Sequence, residues 1–177
     1  MKGTFTFTMG LPAAGKSSVI KDGRAKVDGA ILLDCDSFKE AHPDYDPSMP
    51  QALHSWSKEQ VKRAFAEALE TGGHFVYDTT GTNAPRMVEE MTRAKEAGFI
   101  VRLVFVKVDL VTSIGRNHDA SRGRVVPLSV IIEKAEKVNR VFDEIHHVAD
   151  EVLVIDNSAD NTLNTPCLLY TSDAADE

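Results

Sequence analysis

Gly10 through Ser17 read GLPAAGKS and fit GxxxxGKS with both glycines, the lysine and the hydroxyl in register. That pattern is a phosphate cradle. The chain must wrap a row of backbone N–H groups around a polyphosphate, so Gly10 and Gly15 stand where a side chain would block close approach. Leu11, Pro12, Ala13 and Ala14 complete the loop, and Ser18 follows in the helix whose positive end faces the phosphates. Lys16 then reaches the β- and γ-phosphates, and Ser17 offers its hydroxyl to Mg²⁺.

Four further groups could act on what the cradle holds. Asp34 and Asp36 lie at the C-terminal end of the short apolar run that starts at Ala30. In open parallel sheets that edge is where ligands bind, although either aspartate could instead cap a helix. Lys39 follows Asp36 by three residues, on the same side of a helix. Asp78 closes a second apolar run and is followed by Thr79, Thr80, Gly81, Thr82 and Asn83, the placement of an aspartate that holds the Mg²⁺ shell or orients substrate. Arg116, Arg122 and Arg124, within GRNHDASRGRVVP, suit a lid that closes positive charge over phosphates, the alternative being a solvated basic loop. Asn157, after the last predicted strand, is a candidate contact for adenine.

Positioning these groups requires a particular order of elements. Strands are expected at 4–9, 30–34, 75–77, 100–108 and 152–155, with helices between them. The 42–50 stretch, HPDYDPSMP, is expected to be a loop over the site. Ser55 or Ser57 is expected to cap the next helix, Asn83 and Asp109 the two after it, and Pro127 to open the last. His54, near the start of its helix, is expected to play no part as a ligand. The order strand, cradle, helix, then alternating strand and helix predicts an α/β three-layer sandwich on a five-stranded parallel sheet, the P-loop nucleoside triphosphate hydrolase fold.

Composition narrows the partners. The formal net charge of −7 argues against a broad basic surface, and Asp173, Asp176 and Glu177 contribute to it from the end of the chain. Cys35 and Cys167 form neither a disulfide framework nor a zinc site. No apolar run approaches the ~20 residues of a membrane helix, and the start of the chain carries no leader pattern, so a cytoplasmic location is expected. The segment Cys167 to Glu177, CLLYTSDAADE, resembles a translated transposon-end adapter from sequencing libraries. On that resemblance residues 1–166 are the domain, and 167–177 are a non-native tail set apart from the fold.

Two families of P-loop kinases resemble the stretch from Thr4 to Asn157. LLDCDSFKEAHPDYDP, from Leu32 to Pro47, is similar to the zeta-toxin family, whose members phosphorylate a UDP-activated amino sugar. The resemblance implies that Asp36 is the catalytic base, with Phe38, Lys39, His42 and Pro43 continuing the signature. Asp78 and Thr80 match its acceptor-binding carboxylate and threonine, while Thr82 stands where its sugar-contacting arginine would be. Arg116 and Arg124 match its lid arginines. The polynucleotide-kinase family is resembled through DTTGTNAPR, Asp78 to Arg86, and through Arg116, Asn117, Arg122, Gly123, Val126 and Pro127. There too Asp36 matches the base, and Lys39 takes the place of an arginine that binds substrate phosphate.

These resemblances imply an ATP- and Mg²⁺-dependent kinase acting on a small-molecule or 5′-hydroxyl nucleic-acid acceptor, and admit an antitoxin protein as a partner. Lys16, Arg116 and Arg124 would neutralise the transferring phosphoryl, while Asp34, Lys39, Asp78, Thr80 and Arg122 would face the acceptor. The alternatives are a stand-alone ATPase or GTPase and a nucleotide-binding module without catalysis. No NKxD element for guanine occurs, and Thr79 rather than a catalytic glutamate follows Asp78.

Overall fold

A computed structural model describes residues 1–49, 51–119 and 125–158, together with the backbone of 167–171. The elements in order are β1 (Thr4–Met9), α1 (Lys16–Lys21), β2 (Ile31–Leu33), α2 (Cys35–Glu40), α3 (His54–Thr71) and β3 (Phe75–Asp78). They continue with α4 (Ala84–Glu96), β4 (Ile100–Lys107), α5 (Leu110–Asn117), α6 (Leu128–Ile145), β5 (Glu151–Asp156) and β6 (Cys167–Thr171).

The sheet order is β2-β3-β1-β4-β5-β6, and β1 to β5 run parallel as expected. It continues by one strand beyond the five predicted. β6 pairs antiparallel with β5, in a register that shifts between Val152 and Leu153. The segment 167–171 thus belongs to the sheet rather than standing apart from it. Without β6 the outer side of β5 would present unpaired N–H and C=O groups, and CLLYT supplies strand formers that pair with them.

β1 is the central strand, buried at every residue from Phe5 to Met9. Its Thr-Phe alternation looks half-exposed on paper, yet Thr6 and Thr8 are as buried as the phenylalanines. Threonine tolerates this because its branched side chain suits a strand and its hydroxyl can find a partner. Phe5 sits at the hub of an aromatic cluster, with ring centroids 5.2 Å from Phe7 and Phe65 and 5.4 Å from Phe75 and Phe99.

Parallel pairing puts the C-terminal ends of the strands on one edge, and the register says which residues meet there. Leu33, Tyr77, Phe7 and Leu103 lie in one row across β2, β3, β1 and β4. One step further come Asp34, Asp78 and Thr8, so the acids emerge beside the start of the phosphate loop.

Helix starts largely follow their caps. Asn83 Oδ1 accepts from the Arg86 amide at 3.1 Å, and Asp109 Oδ1 accepts from the Thr112 amide at 2.7 Å. α6 begins directly after Pro127. α3 differs, starting at His54 without a side-chain cap, so Ser55 and Ser57 fall inside it. Ser57 is fully buried and turns its hydroxyl back to the His54 carbonyl at 3.0 Å.

Replacing Phe5 by Ala should lower the unfolding free energy by about 3–5 kcal/mol, the range for truncating a fully packed aromatic. Urea denaturation measures this. A loss below about 1 kcal/mol would mean that β1 is not the centre of the core.

Candidate functional site

One cleft of about 1300 Å³ opens over the C-terminal edge of the sheet. It exceeds the ~300–1,000 Å³ of an ordinary single-ligand site. Its walls fall into two halves joined at Asp78.

The first half is built on the loop between β1 and α1. Pro12, Ala13 and Gly15 to Ser18 line the cleft, whereas Gly10, Leu11 and Ala14 are buried and contribute backbone. A Cβ on Gly10 would lie 2.6 Å from the Val106 carbonyl oxygen, so only glycine lets the loop leave β1 here. Gly15 has φ 88°, and its Cβ would meet Asn157 Nδ2 at 2.4 Å. Ala13 also sits in the left-handed region, at φ 60°. Lys16 Nζ donates to the Gly10 carbonyl at 3.3 Å, which turns the ammonium back over the loop.

Side chains from distant elements hold this loop in shape. Asn157, after β5, donates from Nδ2 to the Ala14 carbonyl at 2.8 Å and accepts on Oδ1 from Arg24 at 3.0 Å. Arg116, on α5, approaches the same Ala14 carbonyl at 3.5 Å. Ser113 donates to the Pro12 carbonyl at 2.8 Å. Asn157 therefore pins the loop, with Arg24 beside it lining the cleft.

The second half carries the acids. Asp34 caps α2, its Oδ1 accepting from the amides of Asp36 at 2.8 Å and Ser37 at 2.9 Å, and its other oxygen accepts from the Ser37 hydroxyl. Asp34 lines the cleft, but its carboxylate is engaged in the cap. Asp36, in the first turn of α2, keeps its side chain 48% exposed and has Lys39 Nζ 3.4 Å from Oδ1. Lys39 itself is buried. The cleft is further walled by His54 and Lys58 of α3, Thr80 and Thr82, Arg86 and Glu90 of α4, and Lys134 of α6.

Asp78 stands between the halves. Thr8 Oγ1 donates to its Oδ1 at 2.5 Å. Burial pushes the Asp78 carboxyl above the ordinary carboxylate range, against the pull of Lys16 and the Thr8 hydrogen bond, while Asp34 and Asp36 add to the rise. Burial, with Lys58 and Lys39 close by, holds His54 below the usual histidine range, although Asp36 opposes this. His54 Nδ1 is buried without a hydrogen-bond partner.

Gly10 to Ser18, Asp34, Asp36, Lys39, Asp78, Thr80, Arg116 and Asn157 are thus gathered around one space. Arg122 and Arg124 lie outside the described residues. No residue from His42 to Met49 lines the cleft, so that loop does not cover the site as expected. His42 instead packs edge-on against Trp56 of α3, with ring centroids 4.5 Å apart. Arg24, His54, Lys58, Tyr77, Arg86, Glu90 and Lys134 line the cleft without having been singled out as site residues from the sequence. The i,i+4 spacing of Arg86 and Glu90, and the place of Arg86 at the end of DTTGTNAPR, were local signals for that pair.

A phosphate loop at the first strand, an aspartate on the adjacent parallel strand and an acid-bearing helix facing both define a P-loop kinase. The zeta toxin family model matches residues 3–165, and the chain belongs to that family. A search of curated proteins by sequence returns no match.

Solved structures share the fold. The PezAT chromosomal toxin-antitoxin system of Streptococcus pneumoniae aligns with TM-score 0.62 and 15% identity, over 88% of this chain and 68% of that one. The AvrRxo1-ORF1:-ORF2 structure with ATP aligns with TM-score 0.67 and 16% identity, over 94% of this chain but only 57% of that one. Shikimate kinase from Bacteroides thetaiotaomicron aligns with TM-score 0.55 and 18% identity, over 92% of both chains. Among the described residues no helix is long and apolar enough to cross a membrane.

Magnesium, which the fold family implies, fits the donors present. Ser17 and Asp78 bring oxygen ligands to the cleft beside the loop, and Mg²⁺ in nucleotide sites takes one or two protein oxygens with phosphates and water completing the shell. Among the described residues no cluster of three or more acidic, histidine or cysteine ligands forms a metal cage.

Asp78→Asn should stabilise the ligand-free protein at neutral pH while impairing turnover. The raised carboxyl holds its proton more tightly in the folded chain than in the unfolded one. Its contribution to stability is therefore present below the unfolded pKa and is lost as pH rises through the folded value. The variant's melting temperature should exceed that of the wild type at pH 7, and the gap should close at the acid end. Equal melting curves at both pH values would show that the carboxylate is not penalised by burial.

Proposed function

We propose that the chain transfers the γ-phosphoryl group of ATP to an alcohol that occupies the acceptor half of the cleft. The observation that carries this reading is the sharing of one space by Lys16 and Ser17 of the phosphate loop and the half-exposed carboxylate of Asp36. A cleft of about 1300 Å³ has room for a nucleotide and an acceptor together.

The residues then divide the work. Loop amides seat the phosphates, with Lys16 and Arg116 set against the charge that develops on the transferring group. Ser17 and Asp78 would hold magnesium, which would supply charge neutralisation at the phosphates. Asp36 accepts the proton of the acceptor hydroxyl as that oxygen bonds to the γ-phosphorus. The bond from the γ-phosphorus to the bridging oxygen breaks at the same time, and ADP departs with its electron pair. Lys39, at 3.4 Å, keeps the Asp36 carboxylate in place through this exchange.

The resemblances in sequence support UDP-activated amino sugars and 5′-hydroxyl nucleic acid as acceptor classes. The toxin-antitoxin description of the PezAT structure supports an antitoxin partner here as well.

The test is incubation with γ-labelled ATP and a panel of UDP-sugars, 5′-hydroxyl oligonucleotides, nucleosides and small alcohols. Label should pass to at least one acceptor. Asp36→Asn should cut that transfer by ~10²- to 10⁴-fold, the usual worth of a general base, with ATP affinity nearly intact. Rapid phosphate release that ignores every acceptor would make the protein a hydrolase instead, and wild-type transfer by the variant would remove Asp36 as the base.

A further inference from the structure

The acceptor half contains a three-residue cluster that neither the phosphate loop nor Asp36 requires. Tyr77 and Glu90 are both buried, one on β3 immediately before Asp78 and the other on α4. A buried carboxylate needs a cationic partner, and Arg86 supplies it one helical turn away. Arg86 Nε donates to Glu90 Oε1 at 2.9 Å, and Arg86 Nη2 donates to the Tyr77 hydroxyl at 2.7 Å. The hydroxyl in turn donates to Glu90 Oε1 at 3.3 Å, which closes the ring of bonds.

Those bonds occupy only one edge of the guanidinium. A guanidinium carries five N–H donors in a rigid plane, so about three remain, on Nη1 and Nη2. Arg86 lines the cleft with its side chain 46% exposed, so the remaining donors have access to that space. Lys39, Lys58 and Lys134, on three other helices, line the same cleft. A cation fixed in orientation, in a cleft that further cations and Asp36 also line, suits an oxyanion carried by the acceptor.

We infer that Arg86, locked by Tyr77 and Glu90, determines acceptor specificity by binding an oxyanion of the acceptor, a phosphate or a carboxylate, with its free guanidinium edge. This rests on the kinase reading for the identity of the ligand in that half. Arg86 binds and orients the acceptor and takes no part in the proton or phosphoryl transfer. Because its own orientation is set before the ligand arrives, less freedom is lost on binding than with a lysine.

The experiment measures binding rather than turnover. With the nucleotide half saturated by a non-hydrolysable ATP analogue and magnesium, calorimetry follows titration of UDP-N-acetylglucosamine, a 5′-hydroxyl dinucleotide, gluconate and an uncharged nucleoside. At least one anionic probe should bind the wild type. Arg86→Gln should weaken it by about 10- to 100-fold, the scale of a charge-assisted contact, with affinity for the ATP analogue within about twofold. Arg86→Lys should restore only part of the loss, since it cannot present two parallel donors. Phosphate-bearing and carboxylate-bearing probes distinguish the two oxyanions.

Arg86→Gln leaves Glu90 without its cationic partner, so the double variant Arg86→Gln/Glu90→Gln serves as the control for folding. It should melt near the wild type and still fail to bind the anionic probe. Unchanged affinity in the single or the double variant, or absence of binding by every anionic probe to the wild type, overturns the inference. Transfer to a neutral alcohol that ignores Arg86→Gln would overturn it while leaving the kinase reading standing. Arginine-dependent binding without any transfer would do the reverse.

Discussion

The carboxylate of Asp78 is buried at the tip of β3 with a hydroxyl on one side and an ammonium within electrostatic reach. Burying such a group is costly unless other groups compensate it. Here partial compensation comes from Thr8, just before the phosphate loop, and from Lys16 within it. The pairing of Thr8 with Asp78 in the β1–β3 register therefore sets two things at once: where the acid sits, and how far it lies from the cradle. A shift of one residue would send Asp78 to the opposite face of the sheet and leave Thr8 without its partner.

The phosphate loop is held in shape from outside as well as by its own glycines. The Ala14 carbonyl is taken by Asn157 and approached by Arg116, the Pro12 carbonyl by Ser113, and the Gly10 amide donates to the Thr80 carbonyl at 3.3 Å. These partners come from the end of β5, from α5 and from the connection after β3. A cradle anchored at this many points keeps its amides in position before a ligand arrives, which is what precise recognition of a phosphate needs.

The two halves of the cleft use different physical means. The nucleotide half relies on main-chain geometry, which tolerates few substitutions, because its glycines lie against a carbonyl and a side-chain amide. The acceptor half relies on long side chains projecting from α2, α3, α4 and α6. Such side chains can change without disturbing the sheet, so a common fold can serve different acceptors.

What the sequence determined by itself was whatever depends on neighbours along the chain. The GLPAAGKS loop, the caps at Asn83 and Asp109, the start of α6 after Pro127 and the five parallel strands all follow from local spacing, and so does the placement of Asp36 and Lys39 on one helical turn. Tertiary structure alone decided which distant side chains share a space. It brought Asn157 to the loop as a pin, engaged Asp34 as a cap, turned His42 away toward Trp56, and added β6 to the open edge of β5. It also closed Tyr77, Arg86 and Glu90 into one cluster. The reason is physical: periodicity and capping act over a few residues, whereas burial and charge pairing are set by the register between strands and the packing of helices, and neither is written at any single position.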